Sequence, residues 1–422
     1  MIIATDPRFA AETDSLTLQN AINEAARQPL RTVCIPARAD REDWVIDKAL
    51  LLPSDITVIL DNCHLTLAEG VYDNIFRNEN MYTDRGLQQN IYIIGKGTAI
   101  LDGGIPNDLH ESTSLKDGRP HVRFNNLILL HHVTNYSIRN ITCRNMRYWA
   151  INQIACARGY LSDIHFESGT YVPNQDGINF RVGCFDSKVE NITGQTGDDT
   201  VALSAFPGGR DGQLLPVGWS PDIHDITVKN VSACTKQTVV ALRCSDGAKL
   251  YNIALENIED NDGDYRPWGV VRIGEGEYFT QYPARHGDIH HITVDGVRSL
   301  CKGTVFLNQT LTDAAIRNVH AGGTSMYAVS TFYPINPQAP DLTEHGVSLE
   351  NVTFENVAYH GSAGHRESRY LTVPDSDFAG AALDFRCMRP TDTFQNVRCL
   401  QITHRPDACR LTSTRPVEIS FN

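Results

Sequence analysis

The sequence predicts an all-β fold, a single right-handed parallel β-helix that opens on a short capping helix. Three observations carry this expectation. A four-residue phrase recurs along the 422 residues. Each copy sits in a short run that alternates apolar and polar residues, the period of a strand. Strongly helical periodicity is scarce outside one segment near the N-terminus.

That segment comes first. In 18-LQNAINEAARQ-28 the apolar residues Leu18, Ala21, Ile22 and Ala25 follow an i, i+3, i+4, i+7 stripe. Asp14 or Ser15 is placed to cap it. A solenoid exposes an open end of core at its first coil, and a helix here would cover it. The segment 32-TVCIPA-37 then reads as the first strand.

The phrase itself is an apolar residue, a polar residue, Asn or Asp, then Ile or Val. It appears as 138-IRNI-141, 161-LSDI-164, 189-VENI-192, 223-IHDI-226, 250-LYNI-253, 289-IHHI-292, 316-IRNV-319, 349-LENV-352 and 394-FQNV-397. Short-strand repeats of this length cannot bury a face alone and must stack on their neighbours. Leucine-rich repeats share the length but need a strict leucine register that is absent here. The recurring Asn then has a meaning in the coil. It tolerates left-handed turns, and stacked turn asparagines can hydrogen-bond from coil to coil. The sequons at Asn140, Asn191 and Asn351 are accounted for in the same way, as turn residues followed by strand. The last region, 366–390, departs from the repeat. The chain therefore reads as one domain, 1–422, with 1–30 as N-terminal cap and 366–422 as divergent last coils or a C-terminal cap.

Composition narrows the function. The net charge of −13 argues against nucleic acid and against an anionic membrane surface as partners. No apolar run approaches the roughly 20 residues of a membrane span. The first sixteen residues carry no basic region and no apolar core of signal-peptide length, which points to the cytoplasm. Eleven cysteines, an odd number with no CxxC, suit buried reduced thiols better than a disulfide framework or a zinc knuckle.

Two acidic phrases lie one coil apart. Asp176 in 174-NQDGINF-180 and the pair Asp198 and Asp199 in 197-GDD-199 are separated by 22 and 23 residues. Residues one coil apart in a parallel β-helix sit about 4.8 Å apart. Three carboxylates so close cannot all titrate ordinarily, since like charges raise at least one of them. An acid kept protonated beside ionised ones is what glycosidic bond hydrolysis needs: one protonates the leaving oxygen while another activates water. Clustered carboxylates also suit calcium, and Asp-Gly is an ordinary turn pair. The conjunction of NQDG with GDD favours the catalytic reading, with no metal and no cofactor.

At these residues the chain resembles glycoside hydrolase family 28, the polygalacturonase-like enzymes. The resemblance runs from 14-DSLTLQNAI-22 and 33-VCIP-36 through 95-GKGTAILDGG-104 and 120–152. It is most specific at 174-NQDG-177 and 197-GDD-199. It implies an inverting glycosidase with an oligosaccharide as its partner. Asp198 matches the family's general acid, Asp176 and Asp199 match the pair that positions and deprotonates water, and Asn174 matches the motif asparagine as a site-orienting residue. The family's Gly-His-Gly is missing: the corresponding coil, 236–247, has no histidine, and Arg243 lies in it. The family's Arg-Ile-Lys is half present, with Arg272 kept and Gly274 where the lysine would be. Arginine captures carboxylates in bidentate fashion, so an acidic sugar is expected. A different uronide, a rhamnogalacturonan-type oligosaccharide or a neutral sugar stay open.

Arg272, Arg243, Trp268 and His286 are accordingly the expected substrate-binding residues beside Asn174. The paired histidines His131–His132 and His290–His291 are read as pointing to opposite sides of a strand, which argues against a joint metal site. Insertions at 204–222, 259–269 and 275–287 are rich in Gly, Pro and aromatics, among them Trp219 and Tyr282, and suit loops that wall off a cleft. Exo-action on pectin-derived or other uronic oligosaccharides follows as the expected activity. The competing readings are a polysaccharide lyase or uronan epimerase on the same fold, and a non-catalytic carbohydrate-binding β-helix.

Overall fold

The computed structural model describes residues 1–422 apart from 82–84, 106–124, 169–173, 209, 262–268, 275–281, 283, 301–302, 324, 326, 332–346, 362–379, 388–391, 404–408 and 415. It is a right-handed parallel β-helix, all strand but for one α-helix and short 3-10 turns among the described residues. The chain falls into two compact units: residues 1–199 with 214–220, and residues 200–213 with 221–422.

The first unit begins with the pair Ile2–Ile3, which lies parallel to Val33 and Cys34. The strand Thr32–Pro36, expected to be the first, is thus the second. The helix Asp14–Arg27 buries its stripe completely at Leu18, Ala21, Ile22 and Ala25. Its cap is Thr13, whose hydroxyl accepts from the Leu16 N–H at 3.2 Å, and not Asp14 or Ser15. Those two are turned to a different task. The Asp14 carboxylate accepts from the Val45 N–H at 2.8 Å, and the Ser15 hydroxyl from the Asp47 N–H at 2.9 Å. One turn further along the helix, the Gln19 amide accepts from the Leu51 N–H at 2.7 Å and donates to the Leu51 carbonyl at 3.1 Å. A side-chain amide thereby satisfies the backbone groups of an otherwise unpaired edge.

Successive coils stack like on like. In the first unit Ile138 pairs with Leu161 and Leu161 with Val189, while Ile128 pairs with Ile151 and Ile151 with Ile178. In the second unit one core column runs Val201, Val240, Val271, Val305, Val329, Leu383 along the strands that begin with Val201–Ala205. Apolar columns of this kind exclude water continuously along a parallel sheet.

The turn asparagines do what the phrase requires. The third residue of all nine phrases has φ between 48° and 59°, from Asn396 to Asn191. Asn191 donates to Asp163 and Asn252 to Asp225, each at 3.0 Å, across one coil. The phrases do not all mark the same turn, however. Each long strand of the second unit carries two left-handed residues five positions apart, such as Asp225 and Asn230, or Asn252 and Asn257. Strand pairing sets 289-IHHI-292 and 349-LENV-352 beside Leu311–Ala314, so 316-IRNV-319 belongs to the second turn. Both turns have the same local grammar, an apolar residue on either side of a left-handed Asn, and the sequence repeat cannot tell them apart.

All ten described cysteines are free thiols and nine are buried; Cys301 lies outside the described residues. Burial pushes Cys63 and Cys184 up to about 12.

Candidate active site

The three acids sit where the chain leaves one strand and has not begun the next. Asp176 lies just before the strand Ile178–Arg181, and Asp198 and Asp199 lie between the strands Phe185–Gln195 and Val201–Ala205. Outside a pleated strand, neighbouring side chains need not point to opposite faces. The backbone fixes the two segments together. The Gln175 carbonyl accepts from Gly197 N–H at 3.0 Å and Asp198 N–H at 3.2 Å, and the Asp199 carbonyl accepts from Gly177 N–H at 3.0 Å. Gln175 is itself held, since its buried amide donates to the Met146 carbonyl and accepts from the Ser168 hydroxyl at 2.8 Å.

Gly197 allows this approach for a reason of space. Its φ is not in the left-handed range. A Cβ there would come to 2.8 Å from Gln175 Oε1 and 2.9 Å from Gln175 Cβ, so the two turns close only over a hydrogen atom. Asn174 is left-handed at φ 60 and half-buried; it swings the chain into Asp176.

The result is that one oxygen from each of Asp176, Asp198 and Asp199 lies within 4.8 Å of the others. Asp176 and Asp199 are buried, and Asp198 is half-buried. The Asp198 Oδ1 accepts from the Asp199 N–H at 2.9 Å. The Asp176 Oδ2 accepts from Asn179 Nδ2 at 3.0 Å. A water hydrogen-bonded at about 2.8 Å to two oxygens separated by 4.8 Å would subtend an angle of about 120° at its oxygen, a comfortable geometry. The cluster can therefore hold one water between two carboxylates, with the third, more open acid beside them. Gln175 and Asn179 escaped the sequence reading although both lie inside the phrase read for its aspartate. The signal for Asn179 was its position three residues after Asp176.

The remaining expected residues are placed as follows. In the second unit Arg272 is buried on Gly269–Ile273, in a column that runs Ala202, Ala241, Arg272, Phe306, Ser330, Asp384. Arg243 is half-buried on Thr238–Cys244 and aligned with Ser204. His286 is 60% exposed and paired with Glu350. Trp268 lies outside the described residues, as do Tyr265, Tyr278 and Phe279. Trp219 packs its own surroundings: its indole N–H donates to the Gly183 carbonyl at 2.7 Å, and its ring meets His132 edge-on at 4.8 Å.

The histidine pairs require a correction. His291 has φ 54, and the left-handed turn brings its Nδ1 to 2.6 Å from His290 Nδ1 instead of sending the two rings to opposite sides. His132 has φ 54 likewise. The alternation rule fails at a left-handed residue, which adds a kink to the pleat.

No family model and no curated protein matches the chain. Solved structures do. A family 28 exopolygalacturonase of Yersinia enterocolitica is 14% identical with a TM-score of 0.46, over 98% of this chain and 77% of that one. A tailspike protein of the E. coli bacteriophage HK620, solved with a hexasaccharide, is 12% identical with a TM-score of 0.58, over 97% and 74%. The surface adhesin PfbA of Streptococcus pneumoniae is 12% identical with a TM-score of 0.53, over 99% and 93%. At these identities the likeness is one of fold.

Proposed function

We propose that the chain is a glycoside hydrolase of the polygalacturonase-like kind, acting with inversion on oligosaccharides. The observation that carries this is the meeting of Asp176, Asp198 and Asp199 within 4.8 Å, two of them buried. Asp198, the most open of the three, is assigned as general acid. Asp176 and Asp199 are assigned as the pair that holds and deprotonates water. Inversion is favoured because two buried carboxylates suit a shared water, whereas a retaining enzyme needs one nucleophile and one acid.

For the substrate we propose a uronic-acid-containing or pectin-derived oligosaccharide, cleaved from one end. The uronate class rests on Arg272 at the motif position, since a buried guanidinium is a strong carboxylate partner. The test is a panel of pectic, other uronic and neutral oligosaccharides followed by anomer-resolving NMR, with Asp198→Asn as control. Release of the inverted anomer from chain ends is expected. Retention of configuration would overturn the water-activating pair, an unsaturated product would point to a lyase, and full activity of Asp198→Asn would remove the hydrolase reading.

A further inference from the structure

We propose that Asn179 is a positioning residue that holds Asp176 as a carboxylate aimed at the water, and so fixes which acid of the three is the base. The assignment rests on the hydrolase reading above.

Asn179 is completely buried on the strand Ile178–Arg181, three residues after Asp176, and its Nδ2 donates to Asp176 Oδ2 at 3.0 Å. Only this sense of the amide is stable, because its carbonyl oxygen turned to the carboxylate would set acceptor against acceptor. An amide N–H stabilises the charged form of the acid it faces and not the neutral one. The Asn179 Oδ1 finds no hydrogen-bond donor among the described residues. A buried amide with an unmet acceptor costs more than an apolar side chain of similar shape, so packing alone would favour leucine. Its neighbour in register is Asn152, also fully buried, whose Nδ2 donates to Asn126 Oδ1 at 3.0 Å. The strand position beside Asn179 is therefore another neutral amide.

The charged groups around Asp176 set the problem that Asn179 solves. Asp198 and Asp199 approach from the following coil. From the preceding coil the Ala150 N–H donates to the Asp176 carbonyl at 2.9 Å. On its own strand Arg181 follows two residues after Asn179, its guanidinium 4.5 Å above the Trp149 ring. A neighbouring carboxylate favours the neutral form of an acid, and an amide N–H donated to that acid favours its charged form.

The experiment compares wild type, Asn179→Ala and Asn179→Asp by carboxyl 13C NMR titration, with the Asp176 resonance identified by its loss in Asp176→Asn. The acid limb of kcat/KM is followed in parallel on the sugar found by the panel. The Asp176 midpoint and the acid limb are both expected to rise in the order wild type, N179A, N179D. A rise of about one unit in N179A corresponds to roughly tenfold lower kcat/KM on the acid limb. A packing role predicts a different ranking, because Asp keeps the shape of Asn and Ala does not. N179D also keeps the question answerable should N179A fail to fold. An Asp176 midpoint unchanged in both variants overturns the proposal. If wild type hydrolyses no sugar of the panel, the hydrolase reading falls, and the titration still decides whether Asn179 governs Asp176.

Discussion

Two clusters of titratable groups in the first unit invite comparison. At one, Asp176, Asp198 and Asp199 face each other, and the Asn179 amide donates to Asp176. At the other, on the outer side of an early coil, His64 stands between two carboxylates: Nδ1 lies 2.6 Å from Asp43 Oδ1 and Nε2 lies 3.2 Å from Asp102 Oδ2. Asp102 is further held by the Gly104 N–H at 2.7 Å and Asn145 Nδ2 at 3.1 Å. The second cluster sets a histidine between carboxylates on three different strands, and it stitches those strands together. The first is three carboxyl groups of one kind brought together by backbone hydrogen bonds. A fold that spends its stability to gather like charges points to chemistry there, while a balanced cluster points to structure.

The comparison breaks most visibly at Asp198 and Asp176. Asp198→Asn and Asp176→Asn are each expected to lower kcat by about 10²–10⁴-fold, the range for a general acid or base. Thermal stability should hold or rise, because a like charge leaves the cluster. His64→Gln should do the reverse: kcat unchanged and stability lower by about 1–2 kcal/mol, as two carboxylates lose their common partner. Turnover and denaturant unfolding measured on the same preparations give both readouts. Equal losses of activity in all three variants would erase the distinction.

Gly197→Ala comes next. Its Cβ would fall within 2.9 Å of the Gln175 side chain, and Gln175 is anchored at both ends of its amide, so the turn carrying the acid pair must move. A loss of about 1–3 kcal/mol from overpacking is expected. Activity should fall by at least tenfold at temperatures where the variant remains folded, since a displacement of an ångström at the reacting groups is enough. Wild-type kcat in folded Gly197→Ala would show that the closeness of the two turns does not matter to the chemistry.

The matched cluster has its own pH signature. The hydrogen bond to Asp102, with the nearby Asp43 charge, holds His64 above its ordinary 6.5 in spite of burial. Burial pushes Asp102 up, but the bonds from His64, Gly104 and Asn145 outweigh it and bring Asp102 below its ordinary 3.8. A raised histidine stabilises fully below its unfolded value and loses that contribution as pH rises through the folded value. A lowered aspartate stabilises above its unfolded value and loses that contribution as pH falls through the folded one. The stability gap between wild type and His64→Gln should therefore be widest between about pH 4 and 6.5 and narrow on either side. Urea unfolding across pH 3–9 checks this, and a gap independent of pH would deny the charge pairing.

Much of this molecule is legible in its sequence, and the exceptions have physical causes. The helix stripe at Leu18, Ala21, Ile22 and Ala25 and the left-handed asparagines were readable because burial and turn strain constrain residue type directly. The acids were readable because the phrases 174-NQDG-177 and 197-GDD-199 stand one coil apart. Gln175 and Asn179 were not, since a buried amide looks like any polar residue until its partner is known. The His290–His291 contact was hidden for another reason: strand alternation was applied across His291, and alternation does not survive a positive φ. The two turns per strand merged into one repeat because both ask for the same residue.

The smallest effect supplies the baseline against which both clusters are judged. Asn252 sits on the outer surface at φ 54 and donates to Asp225 Oδ1 at 3.0 Å. Asn252→Ala loses the ladder bond and leaves in the left-handed region a residue that tolerates it less well than Asn, for an expected loss of about 1–2 kcal/mol. Asn252→Gly loses the same bond and keeps the backbone at ease, so it should be milder, within about 1 kcal/mol of wild type. The difference between the two isolates the backbone term from the ladder bond. If His64→Gln at pH 5 costs no more than Asn252→Gly, the Asp43–His64–Asp102 arrangement stabilises no more than an ordinary exposed polar contact. Its contrast with the acid cluster would then rest on the acids alone.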